Sequence, residues 1–366
     1  MNPTHPTAPA PGPAPVPRIT SVGTAVPPCS YTQRELLETF GVVDPRVRSV
    51  FLNSAIERRH LILPPRRADG TRRPETQGEL LRKHTHAGLA LARQAAGTAL
   101  ERAGATPADV RYLCCVSSTG FITPGFSALL LKELGAPTHC SRLDVVGMGC
   151  NAGLNALAAV AAWTSAHPGR TALMVCVEVC SAAYVVDGSL RTSVVNSLFG
   201  DGAAAITVTA GERDGPPGTA GPAVLGFASR MIPEAIDAMR YDWDDDQGRF
   251  SFSLAPDVPY VVGAHARRPV DRLLAGSGLR RSDIAHWVLH SGGKKVIDSV
   301  RVNLGLTRHE TRHTTGVLRD YGNLSSAAFL FAYERLTEES AAAPGDHGVL
   351  MTMGPGSTIE TALVRW

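Results

Sequence analysis

The sequence predicts an α/β protein made of two similar halves, and three observations carry that prediction. Short β-branched runs alternate with helical ones, as in LRKHTHAGLALARQAAGTALERAG followed by DVRYLCCVSS. In the first half ERAGATPADV runs into RYLCCVSSTG, and in the second DRLLAGSGLRRSDI runs into AHWVLHSGG. Each reads helix, glycine stop, Asp beside apolar residues, then a buried strand that breaks at Ser and Gly. The halves also finish alike, with LFGDGAAAITV at residues 198–208 and TMGPGSTIETALV at residues 352–364, each a G-x-G turn feeding a strand. Self-similarity at about half the chain length predicts an internal duplication. Two α/β units that resemble one another by chance are the alternative.

Taken in order, residues 1–17, MNPTHPTAPAPGPAPVP, have almost nothing to bury and predict a disordered Pro-rich tail. Residues 18–212 form the first half and residues 221–366 the second, divided by the Gly/Pro-rich GERDGPPGTAGP. The chain has 366 residues, 44% of them apolar, enough for two cores and without an apolar run long enough to span a membrane. A formal charge of +3 without a basic block gives no sign of a nucleic-acid partner, though basic side chains remain available to an anionic small molecule. Seven cysteines, an odd count without regular spacing or a signal peptide, predict free thiols in a reducing cytoplasm.

In LDVVGMGCNAGLNALAAVAAW, Cys150 sits between Gly149 and Asn151, where an apolar strand hands over to an apolar helix. The second half offers two comparable turns: AHWVLHSGG ends with His290 before the helix KKVIDSV, and VLRDYGNLSSAAFLFAYERL places Asn323 before another helix. Singly, each has a plain structural reading: a packed cysteine, a satisfied strand-end histidine, an asparagine cap for a helix that Ser325 or Ser326 could also cap. Duplicated halves bring such turns to one pseudo-twofold axis, where a ligand crevice forms. Together the three predict acyl transfer with carbon–carbon bond formation. A helix N-terminus and a neighbouring imidazole predict a resting thiolate at Cys150. His290 and Asn323 can donate to a thioester oxygen and stabilise the enolate left when a malonyl group loses carbon dioxide.

The segments VVGMGCNAGLNAL, SLFGDGAAA, VLHSGGKKVID, YGNLSS and GPGSTIETALV resemble the motifs of the type III polyketide synthases, the chalcone-synthase-like branch of the thiolase fold, from about residue 18 to the end. The resemblance implies αβαβα halves packed in five layers about a pseudo-twofold. It implies Cys150 as nucleophile, His290 and Asn323 as the decarboxylation and condensation pair, and Phe199 as the aromatic between CoA tunnel and cavity. Ala183 and Ser325 would line the cavity, with Gly292 and Gly293 among the substrate-binding residues. Thr123 would project into a partner subunit's cavity, which implies a homodimer. SVFLNSAIERR, AMRYDWDDDQGRFSF and VPYVVGAHA resemble an actinobacterial subgroup that uses malonyl-CoA alone. One unit supplies the acetyl starter, three extend it, and the C8 chain closes to a 3,5-dihydroxyphenylacetyl thioester without organic cofactor or metal; an enzyme acting on that CoA ester would follow. Tetrahydroxynaphthalene, pyrone or resorcinol formation from malonyl-CoA is the alternative within the family, and a ketoacyl synthase III-like condensation the alternative outside it. Ser291 and Ala183 replace the Pro and Thr of the plant-type pattern, which argues against plant-type starters. Arg58 and Arg59 in AIERRH are placed either on CoA phosphates or on a solvated helix face.

Three other motifs are set aside. HETRH at 309–313 satisfies H-E-x-x-H, but Gly305 before it and Thr314, Thr315 and Gly316 after it give no apolar stripe for a zinc-binding helix. DWDDDQG at 242–248 has Ser253 where calcium would need a bidentate Glu. Cys176 and Cys180 lack a second ligand pair. A degradative thiolase would need a second reactive cysteine near the C-terminus, and GPGSTIETALV has none. A catalytically dead scaffold would be expected to have lost one of Cys150, His290 and Asn323.

Overall fold

The computed structural model describes residues 15–68, 72–211 and 221–366. Most of the predicted tail therefore lies outside the described residues. Its last two residues, however, are already strand: β1 runs Val16–Ala25 and pairs antiparallel with the strand that closes the first half, Pro17 opposite Ala210. Next come β2 (Ser30–Thr32) and α1 (Gln33–Thr39), which starts in a capping box between Thr32 and Glu35. Asp44 caps α2 (Pro45–Leu52), with proline in its first turn, and β3 (Arg58–His60) pairs back with β2.

The long helix α3 (Gln77–Arg102) opens in a second capping box, Thr76 with Glu79, and buries an alanine stripe of Ala92, Ala95, Ala96 and Ala99. Small residues let it lie close on β1: a Cβ added to Gly23 would stand 2.6 Å from the Ala95 carbonyl oxygen. The rest of the first half is β4 (Val110–Ser117), α4 (Phe126–Leu134), β5 (Ser141–Val146), α5 (Ala152–Ala166), β6 (Thr171–Val179), α6 (Leu190–Leu198) and β7 (Asp201–Gly211). The second half contains β8 (Ala223–Met231), the hairpin β9 (Met239–Asp244) and β10 (Arg249–Leu254), α7 (Val258–His265), α8 (Arg267–Leu274) and β11 (Ile284–Leu289). It ends with α9 (Lys294–Leu304), α10 (Arg312–Tyr321), α11 (Ala328–Glu339), β12 (His347–Gly354) and β13 (Thr358–Arg365).

Strand pairing shows the duplication directly. In the first half β1, β7, β6 and β4 are neighbours, joined antiparallel, antiparallel and parallel; in the second, β8, β13, β12 and β11 repeat that order and those directions. The half-sheets meet where Arg18 of β1 pairs with Ala223 of β8. Beyond β4, the edge strand β5 extends the first half.

Period-two alternation then builds five layers. Cys114, Val116, Met174, Cys176 and Ile206 face a central core shared with α5 and α11, while Leu113, Cys115, Leu173 and Val175 face α3 and α4. In the second half Leu350 and Val364 join the central core, and Val349, Met351 and Leu363 face outward onto α7, α8 and α9. This is the thiolase-like fold, and its two innermost helices touch. A Cβ on Gly153 would lie 2.5 Å from the Phe329 ring and 2.7 Å from the Ser326 carbonyl oxygen. The turns that open α5 and α11 are thereby held face to face.

Candidate active site

The turn ahead of α5 carries Cys150, and the turn ahead of α11 carries Asn323 and Ser325. Gly147 and Gly149 adopt φ of 83° and 73°, which lets the chain reverse within three residues of β5. The loop between β12 and β13 closes on this turn. A Cβ on Gly149 would meet Pro355 at 2.4 Å, and one on Gly354 would meet Asn151 Oδ1 at 2.3 Å. Only glycine fits these two contacts.

Cys150 Sγ lies 3.6 Å from Ser325 Oγ as a hydrogen-bond donor. Asn323 Oδ1 accepts from the Ser325 backbone N–H at 2.8 Å, so the amide orientation is fixed and its NH2 group is left for other partners. His290 follows β11, its backbone N–H donating to Met351 at 2.9 Å. Its Nδ1 is buried without a hydrogen-bond partner among the described residues.

Two cavities meet at Cys150. The longer, about 540 Å³, is lined by Cys150, His290, Asn323, Gly292, Gly293 and Phe199 and opens past Lys294 and Lys295. The smaller, about 250 Å³, is lined by Cys150, Ala183, Ser325, Phe121, Tyr241 and Cys180 among others. Phe199 and Phe252 line both and stack edge to face with centroids 5.7 Å apart. The pair forms the junction on either side of which a bound thioester and a growing chain can lie.

Burial sets the charge state. It pushes the Cys150 thiol up to about 12, with Glu178 adding in the same direction and hydrogen bonds to Ser325 and Asn323 only partly opposing it. It pushes the His290 imidazole down to about 3. Both shifts oppose the resting thiolate expected from the sequence, because burial disfavours the charged form of each group. Glu178 is buried and pushed up to about 7. It accepts from Ser326 Oγ at 2.5 Å and the Ser118 N–H at 3.0 Å, tying the cavity wall to the turn before α11.

Comparison with known proteins follows the same lines. The N-terminal domain of chalcone and stilbene synthases matches residues 76–212, and the C-terminal domain of the same family matches residues 228–366. A 3,5-dihydroxyphenylacetyl-CoA synthase of Streptomyces toyocaensis is 64% identical over 353 residues, 96% of this chain and 90% of that protein. The chain belongs to the chalcone and stilbene synthase family. It is a type III polyketide synthase, an acyltransferase in class. A second 3,5-dihydroxyphenylacetyl-CoA synthase, from Amycolatopsis orientalis, is 62% identical over 95% of this chain and 93% of its own length. The crystal structure of PKS-I from the brown alga Ectocarpus siliculosus superposes with a TM-score of 0.89 at 25% identity, covering 97% of this chain and 99% of that one. Among the described residues of this synthase, no helix is long and apolar enough to cross a membrane.

Other expectations fare differently. Arg58 and Arg59 lie on β3, not on a helix. Arg59 is wholly buried, its guanidinium bonded to Tyr184, Gln33 and the Phe199 carbonyl, so it has no surface to offer a CoA phosphate. Arg58, the alternate residue of the strand, is exposed. Thr123 is exposed and lines a groove that shares Gly120, Phe121 and Val146 with the smaller Cys150 cavity, though Thr123 itself lines neither Cys150 cavity of its own chain. Ser291, at the position of the plant-type Pro, is buried and donates to the Gly322 carbonyl at 3.3 Å.

In HETRH, Glu310 accepts from the Thr307 N–H and hydroxyl, and His313 pairs with Glu339. The acidic DWDDDQG forms the β9–β10 hairpin, where Asp244 pairs with Arg191. Sequence reasoning missed Phe252, Lys294 and Lys295. The lysines had left a signal: two cations at a helix N-terminus oppose its dipole and call for an anion.

Proposed function

We propose that this synthase converts four molecules of malonyl-CoA into 3,5-dihydroxyphenylacetyl-CoA. The observation that carries the reading is identity above 60% along nearly the whole chain to two enzymes of that name. His290 takes the Cys150 proton as the sulfur attacks the thioester carbonyl, and returns it to the departing CoA sulfur. A malonyl unit then loses carbon dioxide, its bonding pair moving into an enolate whose oxygen accepts hydrogen bonds from His290 and the Asn323 amide. The enolate carbon attacks the acyl group on Cys150 and the C–S bond breaks, lengthening the chain by two carbons.

Three extensions of one acetyl starter give a C8 chain. Its terminal methyl carbon attacks the third carbon, one water leaves, and two ketones enolise to phenols. Four carbon dioxide and three CoA molecules are released. Acid–base and electrostatic groups of the chain supply every step, so the reading calls for no organic cofactor or metal. The smaller cavity, about 250 Å³, lies below the range of roughly 300–1,000 Å³ usual for ligand pockets. A short chain and a single ring suit it better than a fused pair.

Lys294 and Lys295 stand at the mouth where CoA phosphates would lie. The exposed edge of β5, with Thr123 in the adjoining groove, suits a homodimer in which Thr123 reaches the partner's cavity. Malonyl-CoA supply fits a cytoplasmic site, and an enzyme that accepts an aryl-acetyl thioester would consume the product. The test is incubation with malonyl-CoA alone and mass spectrometry of the products. A dihydroxyphenylacetyl thioester or acid is expected; a naphthalene or pyrone as the main product would overturn the assignment.

A further inference from the structure

Arg59 presents an unusual balance of charge. Its side chain is wholly buried, yet among the described residues no carboxylate lies within ion-pairing distance of the guanidinium. Buried charges are ordinarily paired, because taking an ion out of water is costly. The buried Asp201 carboxylate acts on it only from beyond ion-pairing distance, and what the guanidinium touches directly is the C-terminal end of α6. That helix stops at Phe199 in extended backbone (φ −82°, ψ 150°), without the left-handed residue that would close its last carbonyls. The partial negative charge of a helix C-terminus thus lies in the interior beside the guanidinium.

Each of the last carbonyls has a specific partner. Ser197 O accepts from Gln33 Nε2 at 2.8 Å, and Leu198 O from the Asn323 backbone N–H at 2.9 Å. Phe199 O accepts from Arg59 Nη1 at 2.6 Å and from the Tyr184 hydroxyl at 2.5 Å. Arg59 also donates from Nη2 to Gln33 Oε1 at 2.9 Å, joining these bonds into one network. The Gly200 N–H donates to the Asn323 carbonyl at 2.9 Å, completing a parallel bridge between Phe199 and Asn323. Packing closes the unit, since a Cβ on Gly322 would meet Leu198 O at 2.6 Å and Arg59 Cδ at 2.7 Å.

We propose that Arg59 is a positioning residue that locks the junction aromatic Phe199 and the Asn323 amide into one rigid unit through the Phe199 carbonyl. The proposal rests on the polyketide reading of the site and adds to it a determinant of how far the chain grows. Loosening the unit shifts Phe199 and Asn323 together, so the enolate and the acyl group misalign during extension and the unfinished chain leaves as a shorter lactone, its enol oxygen attacking its own thioester carbonyl as the C–S bond breaks and the enol proton passes to the departing thiol.

The test compares wild type, Tyr184→Phe and Arg59→Lys with malonyl-CoA, reading the ratio of shorter lactones to the C8 aromatic product. Tyr184→Phe removes one donor to Phe199 O and should raise the ratio about threefold; Arg59→Lys removes the fork and should raise it about tenfold or more, since misplacement near 1 Å costs up to a hundredfold. A purely structural role would lower the amount of active enzyme and scale all products together, leaving the ratio unchanged. An unchanged ratio overturns the proposal, and if Arg59→Lys fails to fold, Tyr184→Phe decides it alone. A wild-type chain that makes no C8 product from malonyl-CoA would sink the reading of the site and this inference with it; an active wild type with unaltered variants would sink this inference alone.

Discussion

At the scale of single residues, burial disfavours charge on both Cys150 and His290. With the Cys150 thiol pushed up to about 12, its reactive thiolate fraction should grow with pH across the working range. The rate of alkylation by iodoacetamide is expected to rise about tenfold per pH unit from pH 6 to 9. A rate that levels off in that interval would mean a thiolate already present. Asn323 can be separated from this step, because its Oδ1 is occupied by Ser325 and only its NH2 group remains to hold an enolate oxygen. Asn323→Ala should slow malonyl-CoA decarboxylation about 10²–10³-fold while intact-protein mass spectrometry still shows Cys150 acylated. Undiminished carbon dioxide release would remove Asn323 from that role. Residue types and their glycine turns pointed to Cys150, His290 and Asn323 in the sequence. The charge state did not follow, because desolvation depends on what the fold packs above the sulfur. Arg59 was equally opaque: β-strand alternation buries it and exposes Arg58, but RRH is too short to show a period.

At the scale of elements, the site is a meeting of turns, and the loop GPGS between β12 and β13 is what presses the Cys150 turn into place. Gly354 lies against backbone as well as side chain: a Cβ added there would stand only 2.7 Å from the Asn151 nitrogen and 3.0 Å from that of Cys150. Neither can yield without moving Cys150. Gly354→Ala should therefore lower stability by about 1–3 kcal/mol, as overpacking does, and cut condensation by more than the loss of folded protein explains. Urea unfolding and product yield per folded molecule check the two parts, and a variant with wild-type yield would show that the loop is not a clamp. The G-x-G pattern at both half-ends was legible in the sequence. That the second copy packs on the first half's Cys150 turn was not, because it depends on the pseudo-twofold between them.

For the whole molecule, the duplicated order of β1, β7, β6, β4 and β8, β13, β12, β11 leaves one strand of the nine-stranded sheet without a counterpart: β5, at the far edge of the first half. An unpaired edge invites another strand, and exposed apolar side chains add to the invitation. Val146 is 46% exposed, Met148 37% and Phe121 51%, all within a few residues of the Cys150 turn or the Thr123 groove. Arg142 and Asp144 put charge on the strand itself, but the apolar residues at and beyond its end stay uncovered. Pairing across β5 would cover these residues and carry Thr123 toward a neighbouring cavity, which would couple assembly to activity. Sedimentation of the purified chain at micromolar concentration is expected to show a dimer. Val146→Glu should shift it toward monomer and reduce C8 product formation in parallel, the two recovering together as protein concentration is raised. A wild-type chain that sediments as a fully active monomer would sever that coupling and leave β5 an ordinary edge.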